Sequence, residues 1–126
     1  MKRLYEQSED FEAEITILLE REGGRKTPPF NGIRWDFLYD GDRPEDDLFV
    51  IWPEFIDATG DAIPRGLPLV GTLRARMYIV NRELAASVHR GRIHVGTNFF
   101  AMEGPHKVAK GVVTRVTGLA GVAHAS

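Results

Sequence analysis

The sequence predicts an all-β protein, in which short strands form a sandwich or a barrel. Apolar and polar residues alternate in several separate stretches, most clearly over residues 11–20 and 69–80. Glycine and proline cluster between these stretches, where they favour turns. The chain has 126 residues, the size of one domain, and 43% of them are apolar, which is enough for a modest core.

The first half of the chain contains three predicted strands. Residues 11–20 alternate with their apolar side chains on one face, and residues 33–38 resume this alternation after a loop rich in glycine and proline. An acidic, turn-prone loop follows at residues 39–47. Residues 48–52 are a short apolar run typical of a buried strand, which we expect Pro53 to end.

The second half begins with a turn-rich segment at residues 57–68. Residues 69–80 then alternate, and residues 81–92 could form either one helical turn or an extended arm. Residues 93–101 and 108–117 are predicted strands. Within the alternating stretch one face carries Leu73, Ala75, Met77 and Ile79, and the other carries Arg74, Arg76 and Tyr78.

We therefore expect one domain over residues 11–118. A polar lead-in at residues 1–10, expected to fray, precedes it, and a disordered tail at residues 119–126 follows. The chain has no apolar run long enough to cross a bilayer, and its N-terminus lacks the apolar stretch of a signal peptide. It has no cysteine, which excludes disulfides and thiol chemistry. These features fit a cytoplasmic protein that does not enter membranes.

Charge is distributed unevenly along the chain. Residues 1–61 hold 16 acidic and 7 basic residues, whereas residues 62–126 hold 2 and 9. Such an asymmetry can mark an acidic partner on the basic side. In a closed barrel the two halves mix in space, and the charges then more often form ordinary salt bridges.

Motifs for catalysis and for metal binding are missing from the sequence. It has no phosphate-binding loop that ends in Gly-Lys-Ser or Gly-Lys-Thr, and its serines lie outside a nucleophile elbow. His89 and His94 are five residues apart, a spacing that places them on opposite faces of a strand. The acidic loop lacks the ligand spacing of an EF-hand. We therefore predict no enzymatic activity, no metal site and no cofactor.

Two segments resemble the C-terminal β-barrel domain (domain 3) of the translation elongation factor Tu family. The first spans residues 11–37 and contains the loop Gly-Gly-Arg-Lys-Thr-Pro-Pro-Phe at residues 23–30. The second spans residues 96–116, where a Phe strand, a Glu-Gly turn and a Gly-Val-Val strand occur at the family's spacing. Residues 38–95 match poorly, and residues 81–95 look longer than in the family. The resemblance implies a free-standing, closed antiparallel barrel of about six strands.

The resemblance also implies binding residues. In the family, the Arg of the Gly-Gly-Arg loop and its successor face the backbone of aminoacyl-tRNA, so Arg25 and Lys26 are expected to contact phosphates. Lys26 stands where the family usually has His, and Pro105 and His106 replace a glycine and an arginine of the hairpin turn. With the cations nearby and those of the longer segment, the candidate RNA- or partner-binding residues are Arg25, Lys26, Arg90, Arg92, His106, Lys107 and Lys110.

Two main functions follow from these residues. The first is a non-enzymatic module that holds tRNA or another structured RNA through additive, sequence-independent phosphate contacts. The alternative is a protein-interaction module that mimics domain 3 and binds translation-associated proteins, or forms a homodimer. Arg25 could instead form a salt bridge within its own loop, with Lys26 merely solvated. A third function, in small-molecule binding or catalysis, would need a pocket lined by Trp52, His89 and His94.

Overall fold

The computed structural model describes residues 1–123 and consists of a closed antiparallel barrel of six strands. Around the barrel the strands follow the order β1-β4-β3-β2-β5-β6, and β6 closes the sheet by pairing with β1. The predicted all-β class and the closed six-stranded barrel are thus confirmed. The strands are β1 (Phe11–Ile17), β2 (Asp36–Tyr39), β3 (Phe49–Ile56), β4 (Thr72–Ile79), β5 (Asn98–Glu103) and β6 (His106–Val116).

Aromatic rings fill the centre of the barrel. Phe37 stacks on Phe99 with ring centroids 4.5 Å apart, and Phe11 meets both rings edge-on. Gly111 of β6 faces this cluster, and a Cβ atom there would lie 2.3 Å from the Phe99 ring. The Gly-Val-Val segment therefore begins with glycine because the aromatic core occupies the space that a side chain would need.

Pro53 does not end the third strand, contrary to expectation, because β3 runs on to Ile56. The N–H of Val80 donates to the C=O of Val50, whereas the N–H of Phe55 points away from β4 and donates to the side chain of Asn31. Odd-numbered residues of β3 thus turn their N–H groups towards β2. Since β2 pairs with β3 only at residues 49 and 50, the missing N–H of Pro53 costs no ladder hydrogen bond.

The N-terminal lead-in packs against the barrel instead of fraying. Residues 1–5 cross the outer face of β3 and β4, where the N–H of Ala62 donates to the C=O of Lys2. The Tyr5 ring contacts the Tyr78 ring at a centroid distance of 5.0 Å. The predicted alternation of β4 is correct, yet its outward-facing Tyr78 is buried because this segment covers it.

Residues 82–92, whose form the sequence left open, are helical. Two short α-helical pieces, α1 (Arg82–Leu84) and α2 (Arg90–Arg92), flank a π-helical turn at Ala85–His89. The Asn81 side chain caps the start by accepting the N–H of Leu84 at 3.0 Å. His89 and His94 are therefore not on a strand, and β5 begins later than predicted.

The packed part of the chain continues past the boundary predicted at residue 118. Leu119 is buried in a 3₁₀ turn at Gly118–Gly121, and its N–H donates to the C=O of Asp10. Part of the predicted disordered tail is therefore core, while residues 124–126 lie outside the described residues. Within residues 1–123, no helix has the length and apolar character needed to cross a membrane.

Candidate functional site

The structure separates the predicted site residues. Strands β1, β3 and β5 all finish at one end of the barrel, which carries residues 18–35, 57–71 and the hairpin turn at residues 104–105. We call it the Arg25 end; the opposite end carries the acidic loop and the helical segment. Arg25, Lys26 and His106 lie at the Arg25 end, Arg90 and Arg92 lie at the opposite end, and Lys107 and Lys110 lie along β6.

Arg25, Lys26 and His106 line one open cavity of about 400 Å³. The loop between β1 and β2 supplies the first two residues, and the hairpin between β5 and β6 supplies the third together with Glu103. Two segments that are about 80 residues apart in sequence thus line the same space, because β1 and β5 flank β6 on its two edges and finish at the same end of the barrel.

The two glycines before Arg25 have separate structural roles. Gly23 ends the 3₁₀ turn at Glu20–Glu22 with a φ of 93°, which lies in the left-handed region. At Gly24 a Cβ atom would lie 2.2 Å from the carbonyl oxygen of Leu18, a backbone atom that cannot move aside. Both positions therefore require glycine, and together they fix where the chain places Arg25.

Arg25 forms a salt bridge across the cavity. Its Nη1 atom donates to Glu103 Oε2 over 2.8 Å, and the buried indole Nε1 of Trp35 donates to the same oxygen over 2.7 Å. The side chains of Arg25 and Glu103 are 29% and 39% exposed. Because an ion pair exposed to this degree contributes only about 0–1 kcal/mol, an anion of another molecule can compete for Arg25.

The other basic residues near this end differ in their surroundings. Lys26 and His106 are exposed, and neither forms an ion pair with the described residues. The ammonium of Lys107 lies 4.0 Å above the Phe100 ring, a cation–π contact that leaves it at the surface. Lys110 lines a separate groove on the barrel wall. Lys26 and His106 are thus the groups that an incoming anion meets first.

Arg92 is part of the structure at the opposite end. It forms two hydrogen bonds to the carboxylate of Asp42, at 2.8 and 3.1 Å, and its guanidinium lies 3.8 Å above the Tyr39 ring. It thereby ties the helical segment to the acidic loop. Arg90, two residues earlier, is half-buried. These contacts give Arg92 a structural role, and both arginines lie at the end of the barrel opposite the cavity.

A buried hydrogen bond lies beneath Arg92. His89 Nδ1 and the hydroxyl of Tyr39 are 2.6 Å apart, and both side chains are buried. Burial lowers the pKa of His89 to about 4, helped by the nearby charge of Arg92. Burial also raises the pKa of Tyr39, so the phenol and the imidazole are both neutral near pH 7 and share one hydrogen bond. This pair joins the π-helical turn to the barrel core.

The pocket required for a small-molecule or catalytic function does not form. His89 lies in the core, His94 lines a groove beside Leu119, and Trp52 lines a different groove on the outer face of β3. The three side chains that such a pocket would combine are therefore in separate places.

The uneven charge along the sequence gives rise to ordinary ion pairs. Acidic residues of the first half meet basic residues of the second half in five salt bridges within the described chain. These pairs neutralise much of the asymmetry at the level of the fold. They are Asp10–Arg82, Glu12–Arg74, Glu12–Arg115, Asp42–Arg92 and Glu54–Arg76.

The sequence did not reveal an apolar groove beside Lys26. Alternation predicted Leu19 on the inner face of the first strand, but β1 ends at Ile17 and the Leu19 side chain is 51% exposed. It lines a groove together with Val70, which is 66% exposed, and with Lys26 on the rim. No pattern in the sequence distinguishes these two residues from core positions.

No model of a known protein family matches this chain, and its kinship with the elongation factor Tu family stays a prediction.

Proposed function

We propose that the protein is a non-enzymatic module whose Arg25 end binds the sugar–phosphate backbone of tRNA or of another structured RNA. The observation that carries this proposal is the convergence of Arg25, Lys26 and His106 on one open cavity. Backbone phosphates recur at regular intervals, so a surface with several cations at its rim can hold them without reading the base sequence. The resemblance to the tRNA-binding barrel of a translation factor points to the same face.

The contacts at the cavity allow Arg25 to exchange the carboxylate of Glu103 for a phosphate. Arg25 can move from the partly exposed carboxylate of Glu103 to a phosphate without passing through an unpaired, buried state. The carboxylate keeps the Trp35 indole as a donor after Arg25 leaves. Lys26 and His106 approach the same phosphates from the two sides of the cavity. We place this activity in the cytoplasm, where such RNAs are found.

The direct test is a fluorescence titration of the purified protein with bulk tRNA. We expect saturable binding that weakens by at least about tenfold when Arg25 and Lys26 are both replaced by alanine, since two phosphate contacts are lost. The matched control replaces Arg43 and Arg115, two highly exposed cations at the opposite end, and removes the same charge. An equal loss in both double variants would contradict a localised site.

One observation favours a second candidate function, that of a protein-interaction module. The exposed side chains of Leu19 and Val70 form an apolar groove that a translation-associated protein could cover. Binding of this kind depends on apolar contact, so we expect it to be nearly insensitive to salt. Replacing both residues by serine would abolish such an interaction and leave tRNA binding unchanged, whereas the alanine variant at residues 25 and 26 would show the reverse pattern.

A further inference from the structure

The first five residues occupy a groove on the outer wall of the barrel. We call residues 1–5 the strap. The floor of the groove is formed by Glu54 of β3 and by Arg76 and Tyr78 of β4, whose side chains point away from the core. All three are buried, at 0%, 3% and 1% exposure, because the strap lies over them. An ion pair on the outside of a barrel is thus removed from water by a short segment of chain.

The groove recognises the backbone of the strap. Lys2 uses both of its backbone groups: its N–H donates to Asp61 Oδ1 over 2.6 Å, and its C=O accepts from the N–H of Ala62 and from Arg76 Nη2. The N–H of Leu4, two residues further on, donates to Glu54 Oε2. This two-residue spacing is typical of extended backbone. Such contacts are available to many sequences, since they do not involve the side chains of Lys2 and Leu4.

One side chain adds selectivity. The Tyr5 ring packs edge-on against Tyr78 at a centroid distance of 5.0 Å and faces Trp52 at 6.4 Å. The Tyr78 hydroxyl in turn donates to Glu54 Oε1 over 2.7 Å. The groove therefore accepts an extended backbone followed directly by an aromatic residue.

The charged side chains on the floor form hydrogen bonds with backbone groups of the strap. Arg76 Nε lies 2.5 Å from Glu54 Oε1. Burial alone raises the pKa of Glu54, but hydrogen bonds from Arg76, Tyr78 and the N–H of Leu4 outweigh it, and the pKa is lowered. Glu54 thus stays ionised as an acceptor for an incoming N–H, while the guanidinium of Arg76 donates to a C=O.

The strap can leave without opening the barrel. All six strands pair with one another around a closed sheet, and the strap contributes no strand to it. Residues 6–8, which connect the strap to the barrel, are exposed. When the strap dissociates from the groove, Glu54 and Arg76 become hydrated. This hydration offsets part of the free energy of the contacts that are lost. Local opening of such a segment is expected at a free energy below that of global unfolding.

We propose that this groove is a binding site for an extended peptide of a partner protein, and that the strap is its resident, displaceable occupant. The partner peptide offers two backbone N–H groups and a C=O at the positions of Lys2 and Leu4, followed by an aromatic side chain. This site lies on the β3–β4 wall and the adjoining loop, shares no residue with the cavity that Arg25 lines, and does not depend on RNA binding.

The test uses the full chain with a weakened strap. Leu4→Pro removes the N–H that donates to Glu54, so the resident strap competes less well. The probe is a fluorescent peptide with the sequence of residues 1–6, followed by anisotropy. We expect the variant to bind this peptide at least about tenfold more tightly than the unaltered protein, in which the tethered strap acts at an effective concentration of roughly millimolar.

Two altered peptides serve as controls. One carries an N-methyl group on its leucine nitrogen, which removes the N–H, and the other has alanine in place of its tyrosine; we expect both to bind at least about tenfold more weakly. Equal binding of the N-methylated peptide, or absence of binding to folded Leu4→Pro protein, would overturn the proposal. If that variant does not fold, Tyr5→Ala weakens the strap through the ring contact alone, and the same two results decide the question.

Discussion

Trp35 and Arg25 share one acceptor, because the indole Nε1 and the guanidinium Nη1 both donate to Glu103 Oε2, at 2.7 and 2.8 Å. Trp35 is 2% exposed and packs edge-on against Phe55, so its N–H depends on a protein acceptor. Glu103 thereby connects the barrel core to the surface loop. It holds Arg25 over the cavity and, at the same time, cancels part of its charge.

Removing the charge of Glu103 should therefore strengthen RNA binding. Glu103→Gln keeps an oxygen acceptor for the Trp35 indole and removes the anion that competes for Arg25. We expect the affinity for bulk tRNA to rise several-fold, consistent with an exposed ion pair of about 0–1 kcal/mol. Glu20→Gln is the control, since it removes an exposed charge from the same loop without touching Arg25. A weaker affinity of Glu103→Gln than of the parent would contradict the competition.

Truncating the same side chain should affect stability instead. Glu103→Ala leaves the buried indole N–H of Trp35 without its acceptor, and this costs about 1–3 kcal/mol of unfolding free energy. Urea unfolding followed by tryptophan fluorescence measures this difference. The comparison with Glu103→Gln is informative because both variants lose the charge and only one loses the acceptor; equal stabilities would show that the hydrogen bond to Trp35 contributes little.

Gly111→Ala should destabilise the barrel by about 1–3 kcal/mol, because the added methyl group meets the Phe99 ring at 2.3 Å and the aromatic cluster must shift. Gly66→Ala is the matched control, since a Cβ atom there meets nothing within 4 Å and its φ is not positive. Chemical denaturation of both variants gives the comparison. A Gly111→Ala protein as stable as the control would mean that the core around Phe99 is loosely packed.

Acidification should reduce stability through His89. Its pKa is about 4 in the folded protein and about 6.5 when unfolded, so between these values the unfolded chain binds the additional proton. The unfolding free energy therefore rises with pH across this window, and between pH 7 and 5 the folded state loses about 2 kcal/mol. Denaturation at both pH values tests this expectation. His89→Gln cannot titrate, so its unfolding free energy should differ little between the two pH values. An unchanged pH dependence in that variant would assign the effect to other groups.

The fold was predictable from the sequence because its signals are local. Alternation in β1 and β4 correctly predicted which side chains face the core, and the glycine pair before Arg25 correctly marked a turn. The passage of β3 through Pro53 was not predictable, since it depends on how short the neighbouring β2 is. The strap gave no signal either, because backbone hydrogen bonds and a buried ion pair hold its polar sequence in place.

The candidate site was only partly predictable. The sequence reasoning assigned Arg25 and His106 to the same set of candidate binding residues, and one cavity joins both. It could not foresee the pairing of Arg25 with Glu103, which is 78 positions away. Arg92 was assigned to the binding surface because its partner Asp42, 50 positions earlier, cannot be identified from sequence spacing.

The salt dependence of tRNA binding tests the central claim most directly. For the unaltered protein, a plot of log affinity against log salt concentration should have a slope of roughly −2 to −3, as expected for about three phosphate contacts. In the variant with alanine at Arg25 and Lys26, the slope should become less negative by roughly 2, because two phosphate contacts are lost. Absence of binding at low salt, or a slope that the two substitutions leave unchanged, would contradict RNA recognition at the Arg25 end.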